Sequence, residues 1–366
     1  MDDRNQEVFR RYDVRVYTTY KARGAVVLET DKGLLLLRSF EGQTSRVEFE
    51  NAVKEFMIQK GYSNVDLYLR NIDGELITED YMGNKYVLKS WFVGEECNLK
   101  ETSDVMNATS NLAMIHTLME GMPIDEDCLS HNLATNLFEQ FEKRNRELKR
   151  VRTYIKDKRQ KNEFEMCYLN NYERFYCQGI EALERLNESS YLKMYQEAIN
   201  KVTLCHGNYT YHNVMMLRGN QPASAYEARN RSKVGKEAEA SLMAADLSGQ
   251  YRVSATTNFD KVNIGLQITD FYHFLRKVME KNDWDVDSGS MLIEQYDKVK
   301  PLSKEELQIL YVLLLYPEKF WKITNFYYNS KKSWVPQRNI QKLMGIQEQY
   351  KAKERFLDRL ENIIMG

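Results

Sequence analysis

Leu204-Cys205-His206-Gly207-Asn208-Tyr209-Thr210-Tyr211-His212-Asn213-Val214-Met215-Met216 is the stretch whose reading decides the fold. It begins as the end of a short apolar strand, passes through a tight polar turn that opens His-Gly, and returns to an apolar strand. Taken alone, a strand, a turn and a strand with His, Gly and Asn in the turn is an ordinary hairpin. The spacing allows a second reading, because Asn208 and Asn213 stand five residues apart behind His206.

In phosphotransferases of the protein-kinase type the catalytic loop carries a His, an Asp that takes the substrate hydroxyl proton, and an Asn five residues later that holds a metal ion. The spacing from 208 to 213 fits that loop, but position 208 is Asn. A carboxylate accepts a hydroxyl proton, whereas a carboxamide is neutral and does not. The stretch therefore reads as a phosphotransferase loop whose base has been removed.

The totals leave room for this. A chain of 366 residues is comfortable for two lobes, each with its own core. Fifty-two Lys and Arg against 53 Asp and Glu give a net charge of −1, so the overall balance calls for no nucleic acid and no anionic membrane as partner. The five cysteines (97, 128, 167, 177 and 205) are scattered and odd in number, without a Cys-x-x-Cys pair, and read as reduced thiols of an intracellular protein. The N-terminus is polar, and no apolar run approaches the roughly 18 residues of a membrane span. Neither a signal peptide nor a membrane span is expected.

Outward from the central stretch, Val14 to Tyr20, Ala25 to Thr30 and Leu34 to Phe40 are β-favouring runs, the last two joined by the hairpin loop Asp31-Lys32-Gly33. A helix is expected from about Arg46 to Lys60, stopped by Gly61. Strand signals follow at Val65 to Arg70 and Lys85 to Phe92, then a connector at Val93-Gly94-Glu95-Glu96. From about Ser103 the pattern is helical, with Ala108 to Met119, Leu137 to about Lys161 and about Asn162 to Leu186 as helices. His116 reads as a packed helix residue. Residues 143 to 161 hold ten Lys or Arg against Glu147 and Asp157, a local balance of +8, which reads first as a solvated helix face and second as a docking surface for an acidic partner. Gly219 to about Ser248 is poor in large apolar residues and is expected to be a mobile insertion between two strands of one hairpin. Beyond it come Asn258-Phe259-Asp260, a helix capped by Thr269 or Asp270, and a capping box Ser303-Lys304-Glu305-Glu306 ahead of Leu307 to Tyr316.

A working phosphotransferase needs a cation on the nucleotide phosphates, carboxylates for magnesium and a base. If 258–260 is the metal loop, Asn258 stands where the metal carboxylate belongs, with Asp260 and Asp270 the nearby carboxylates that could rescue a metal site. Asp270 as a helix cap is the blander reading. On the third strand Leu34-Leu35-Leu36-Leu37 ends in Arg38 where a Lys would reach phosphate, and Arg38 is expected to meet phosphate or Glu48, Glu50 or Glu55 of the next helix. Three departures together are hard to reconcile with ordinary phosphoryl transfer. His206 and Asn213 then keep a structural use, fixing the turn.

Cys205-His206-Gly207-Asn208 with Asn213, then Asp270-Phe271-Tyr272-His273-Phe274-Leu275-Arg276-Lys277-Val278-Met279-Glu280-Lys281 and, most narrowly, Tyr316-Pro317-Glu318-Lys319-Phe320-Trp321-Lys322-Ile323 running into Tyr327-Tyr328-Asn329-Ser330-Lys331-Lys332-Ser333-Trp334, carry a resemblance to the CotS-type bacterial spore coat proteins, kin of the aminoglycoside and choline phosphotransferases. The resemblance implies an α+β, two-lobed protein-kinase-like fold: a small lobe over 1–92, an antiparallel sheet with one helix, and a mainly helical large lobe over 93–366. It implies synthesis in the cytoplasm of the mother cell, deposition in the spore coat, and other coat proteins as partners. With the departures it implies a degenerate site: Asn208, His206 and Asn213 at the catalytic positions, Arg38, Glu48 and Glu55 at the cofactor positions, and Asn213, Asn258 and Asp260 at the metal positions. No cofactor is then expected, with ATP and Mg2+ bound only if nucleotide binding is retained. The alternative is an active small-molecule phosphotransferase acting on a hydroxyl of an aminoglycoside or choline-like compound.

Overall fold

The computed structural model describes residues 3–22, 24–217, 253–329 and 336–366. The chain divides into two compact units, Met1–Asn132 with Val202–Asn263 and Leu133–Lys201 with Ile264–Gly366.

The first unit is built on five antiparallel strands, β1 (Val16–Ala22), β2 (Ala25–Thr30), β3 (Gly33–Phe40), β4 (Ile77–Glu79) and β5 (Lys85–Ser90), in the order β1-β2-β3-β5-β4. The β2–β3 hairpin closes as its residues require: Gly33 takes φ +93°, and Thr30 Oγ1 donates to the Gly33 carbonyl. Helix α1 (Asp3–Arg10) forms in the polar N-terminus, because Val8 and Phe9 fall on one side of it and bury with Tyr12 against Leu28, Leu35, Leu37 and Leu88. Helix α2 (Thr44–Gln59) ends before Gly61, which takes φ +95°. The strand expected over Val65 to Arg70 does not form. Val65 and Leu67 instead donate two residues back, to Ser63 and Val65, so the segment is a string of tight turns with single bridges to Thr256 and Lys89.

The connector expected at 93–96 is partly a strand, β6 (Gly94–Glu96). Strand β7 (Leu204–Cys205) does not pair with β8 (Val214–Leu217), so the stretch between them is not an ordinary hairpin. β8 instead lies between β6 and β9 (Ser254–Thr256), and a single 3-10 turn, Tyr211–Asn213, feeds it. β8 and β9 pair antiparallel, as expected of strands flanking an insertion. The insertion at 219–248 lies outside the described residues, as do Ser330 to Trp334. Helices α3 (Thr102–Leu118) and α4 (Glu126–His131) complete the unit, with His116 fully buried on α3.

The second unit is helical: α5 (Leu137–Asp157), α6 (Glu163–Glu188), α7 (Tyr191–Asn200), α8 (Ile268–Lys281), α9 (Val286–Val299), α10 (Lys304–Leu315), α11 (Glu318–Asn329) and α12 (Pro336–Met365). Capping boxes start α6 at Asn162 with Glu165 and α10 at Ser303 with Glu306. Neither Thr269 nor Asp270 caps α8. The helix begins at Ile268 after Gln267, and Asp270 lies buried in its first turn, where the helix dipole favours a carboxylate. Stacked rings dominate the core: Phe164 on Tyr327 at 3.6 Å, Tyr168 on Phe320 at 5.1 Å and Phe175 on Phe320 at 4.7 Å. The Phe-Trp of the C-terminal motif is thus a packing device, with Phe320 buried and the Trp321 indole donating to Glu147 at 2.6 Å.

On the basic α5 face, Arg152 pairs with Glu173 and the Arg144 guanidinium lies over Trp321, while Lys143, Lys149, Arg150 and Lys156 remain exposed. Among the described residues no helix is long and apolar enough to cross a membrane. The α+β class expected from the sequence therefore holds, an antiparallel sheet in the N-terminal part and helices through most of the C-terminal part.

Truncating Phe320 to Ala removes a ring that packs on two others and opens a cavity, and should destabilise the chain by about 3–5 kcal/mol. Urea unfolding followed by tryptophan fluorescence reads this as a lower midpoint at unchanged slope.

Candidate functional site

The loop after β7 is held by its own residues. His206 is fully buried. The Asn208 backbone N–H donates to its Nδ1 at 3.2 Å, so Nε2 carries the proton and donates to the Thr257 carbonyl at 3.1 Å. Asn213 Nδ2 donates to the Asn208 carbonyl at 2.8 Å, and the Asn213 carbonyl accepts from the Thr257 N–H at 2.9 Å. Gly207 takes φ +73°, and a Cβ there would stand 1.9 Å from the Lys261 carbonyl oxygen, so only glycine fits. One loop, 204–213, is thus bound to a second, 257–261.

The second loop brings Asn258 and Asp260 to the first. Asn208 Nδ2 donates to Asp260 Oδ1 at 3.3 Å. Asn258 takes φ +64°, a left-handed conformation that Asn adopts more readily than most residues. Its side-chain oxygen accepts from Arg38 Nη1 at 2.9 Å, and its backbone N–H donates to Asp66 Oδ2 at 3.1 Å. Arg38, at the exposed end of β3, is therefore brought to position 258 and not to the carboxylates of α2. Glu48 stands 4.0 Å from Arg70, and Glu55 accepts from Asn51 at 2.9 Å. Asp270 belongs to the other unit.

The α2 carboxylate that is buried is Glu50. It meets Lys54 Nζ at 2.6 Å and Lys89 Nζ at 2.8 Å, and both ammonium groups also reach Asp66, at 2.8 and 3.2 Å. The Tyr68 hydroxyl donates to the other Glu50 oxygen at 2.6 Å, and the Tyr68 ring covers both lysines. Lys89 lies on β5, opposite Leu36 of β3. A lysine-to-helix-carboxylate pair thus exists, with its lysine supplied by the strand beside β3. Burial by itself would raise the Glu50 carboxyl, but Lys54 and Lys89 outweigh it and hold it well below the usual range. Burial lowers Lys54 in spite of Asp66 and Glu50, whereas for Lys89 those two carboxylates outweigh burial and raise it.

Arg46, at the start of α2, closes the frame from the other side. It donates to the carbonyls of Asp260 at 3.0 Å and Val262 at 2.5 Å and to Asn132 Oδ1 at 2.7 Å. The sequence-based reading did not assign a site role to Arg46, Lys54, Asp66 or Lys89. Asp66 and Lys89 sat inside segments that read as strands, where one charged residue in an alternating pattern signals nothing. Their available signal was charge at positions that should face a core: an i, i+4 Glu50–Lys54 pair on a helix whose other side is apolar. Among the described residues no group of three His, Cys, Asp or Glu side chains gathers at metal-holding distance.

Chemically, the arrangement holds two amides, Asn208 and Asn258, and each is bonded to a charged neighbour, Asp260 and Arg38. Two tests follow from the buried quartet. Lys89→Met leaves two buried carboxylates with one ammonium and should cost about 3–5 kcal/mol, seen as a lower thermal midpoint. Glu50 has a folded-state pKa below its unfolded value near ~4.3, so its contribution is complete above that value and is lost as the pH falls through the folded-state pKa. Stability measured between pH 6 and pH 2.5 should therefore fall less steeply for Glu50→Gln than for the parent chain.

The family described as "Spore coat putative kinase YutH" matches residues 268–360. Spore coat protein S of Bacillus subtilis (strain 168) is 22% identical over 341 residues, which cover 92% of this chain and 86% of that protein. An aminoglycoside phosphotransferase from Alicyclobacillus acidocaldarius has a similar structure, with a TM-score of 0.79 at 15% identity over 98% of this chain and 96% of that one. A choline/ethanolamine kinase family protein from Mesorhizobium loti aligns with a TM-score of 0.55 at 9% identity over 100% of this chain and 99% of its own. The chain is thus similar to spore coat protein S over most of its length and shares the kinase-like fold of these solved structures.

Proposed function

We propose that this chain is a catalytically degenerate kinase-like protein that acts by association in the spore coat, made in the cytoplasm of the mother cell and joined there to other coat proteins. The observation that carries the reading is the pair of hydrogen bonds from Arg38 to Asn258 and from Asn208 to Asp260. The residues at the phosphate, metal and base positions are spent on one another. Magnesium nucleotide does not fit this set: of Asn208, Asn213, Asn258 and Asp260 only Asp260 is charged, and a hard divalent ion that sheds water reluctantly needs more carboxylate than that.

The acidic groups elsewhere support the same reading. A kinase of aminoglycosides or choline-like compounds needs carboxylates for its cationic substrate. Asp125 and Asp285 instead cap α4 and α9, and Asp283 accepts from Gln349 at 2.9 Å. The basic α5 face and the aromatic C-terminal segment remain the surfaces offered to coat partners, with Phe326 exposed on α11.

Thermal unfolding with and without millimolar ATP, each with and without magnesium, tests the reading. A ligand at about 100 times its dissociation constant stabilises the folded chain by roughly 2.7 kcal/mol. The expected result is no change in midpoint. A magnesium-dependent rise would favour the small-molecule phosphotransferase instead, and a rise without magnesium would mean a nucleotide-binding pseudoenzyme.

Restoring the carboxylates gives a second check. Asn258→Asp places a carboxylate on Arg38, so it should form an ion pair, add at most about 1 kcal/mol of stability at this exposed position, and yield no phosphotransfer. Asn208→Asp places a carboxylate against Asp260 and should lower the midpoint at pH 7, a penalty relieved towards pH 4 as the pair shares a proton. Phosphotransfer by the unmodified chain at rates typical of kinases would overturn the degenerate reading.

A further inference from the structure

Helix α5 and the turn after it carry cations that their surroundings do not balance. Lys143, Lys149, Arg150, Lys156 and Arg159 are exposed, and none of them has a carboxylate within ion-pair distance among the described residues. The other basic residues of 143–161 are engaged. Arg146 meets Glu142 at 3.3 Å, Arg152 meets Glu173 at 2.6 Å and Lys158 meets Glu165 at 2.6 Å. The Arg144 guanidinium lies 4.2 Å from the centre of the Trp321 ring, and Lys161 Nζ donates to the Lys158 carbonyl at 2.7 Å. A solvated helix face commonly sets acid and base four residues apart, so that its charges pair along the helix. The exposed side of α5 does this once, at Glu142 and Arg146. Beyond them the acids are Glu147 and Asp157, and Glu147 is taken up by the Trp321 indole N–H at 2.6 Å.

The unpaired cations are ordered by the helix. Phe141, Leu148 and Ile155 recur every seven residues and are buried, so α5 holds one fixed side to the core. Lys143 and Arg150 then form one row of the outer surface and Lys149 and Lys156 a second, the members of each row two turns, or about 10.5 Å, apart. The partial negative charge at the helix C-terminus accounts for Lys156 in the last turn, but Lys143, Lys149 and Arg150 stand more than a turn from that end. Tyr154, a turn beyond Arg150 and 54% exposed, is held by an edge contact with Tyr328 at 5.8 Å, and so sets a fixed aromatic ring among the cations, as protein interfaces favour. A lipid surface fits this face less well, because a helix that lies in a membrane inserts its apolar side, and the apolar side of α5 is used by the core. Nucleic acid also fits less well: the chain as a whole carries −1, and Asp157 and Glu163 stand exposed at the end of the stripe.

We propose that the outer face of α5, with Lys149, Arg150 and Lys156 as its principal contacts and Tyr154 as its aromatic anchor, docks an acidic segment of another protein. This rests on the reading of the chain as one that acts by association, and it names the chemistry of the partner: carboxylates that recur at about 10 Å along a segment laid against the helix. The face belongs wholly to the second unit, so it works whether or not the loops of the first unit bind nucleotide.

Fluorescence anisotropy of a labelled dodecaglutamate peptide, titrated with the full chain at low and at physiological salt, tests this. Saturable binding is expected, weaker at the higher salt. The triple variant Lys149→Glu, Arg150→Glu, Lys156→Glu should weaken it at least tenfold. These side chains are exposed and unpaired, so the variant keeps its fold, which the thermal midpoint checks. A control with the same change of charge at exposed lysines elsewhere, Lys193→Glu, Lys298→Glu and Lys304→Glu, should bind within about twofold of the parent chain. Absence of saturable binding, or an equal loss in the control, overturns the proposal. So does binding of a single-stranded oligothymidylate or of phosphatidylglycerol vesicles under conditions where the peptide does not bind. A midpoint raised by magnesium ATP with peptide binding intact would overturn the degenerate reading and leave this one standing.

Discussion

Two lysines and two carboxylates, buried together beneath Tyr68, are the constraint on which the first unit depends. Lys54 and Glu50 come from α2, Lys89 from β5, and Asp66 from the turn-rich segment before β4. Each charge would be expensive alone in that environment, and each is tolerable only because the other three are in place. The group therefore fixes helix, strand and loop at once. It also reaches the site, since Asp66 accepts the backbone N–H of Asn258 and so sets the loop that carries Asp260.

From that anchor the rest of the site follows as a series of mutual satisfactions. Arg46 ties α2 to the carbonyls of 260 and 262, His206 ties the first loop to Thr257, and the two amides at 208 and 258 take up Asp260 and Arg38. Amides at 208 and 258 need not weaken such a fold, because a neutral amide bonds to a charged neighbour where two facing carboxylates would repel.

The second unit solves a different problem with different means. Its core is aromatic, with rings of α6 and α11 stacked face to face, and Glu280 and Glu318 are each met by basic side chains. The C-terminal Pro-Glu-Lys-Phe-Trp motif serves both ends: Phe320 and Trp321 pack, Glu318 and Lys319 enter the charged cluster.

Much of this was legible in the sequence because it depends on neighbours along the chain. Helix caps at Asn162 and Ser303, the glycine stop at 61, the β2–β3 hairpin and the five-residue spacing of Asn208 and Asn213 are local, and local steric and hydrogen-bonding rules decide them. What the sequence could not decide was which residues meet across the fold. The pairing of β8 with β6 and its failure to pair with β7, the arrival of Arg38 at Asn258, and the supply of the buried lysine by β5 are matters of contact between residues distant in sequence. Periodicity tells which face of an element is buried, whereas a partner for a buried charge is chosen by three-dimensional packing, and only the tertiary structure holds that choice.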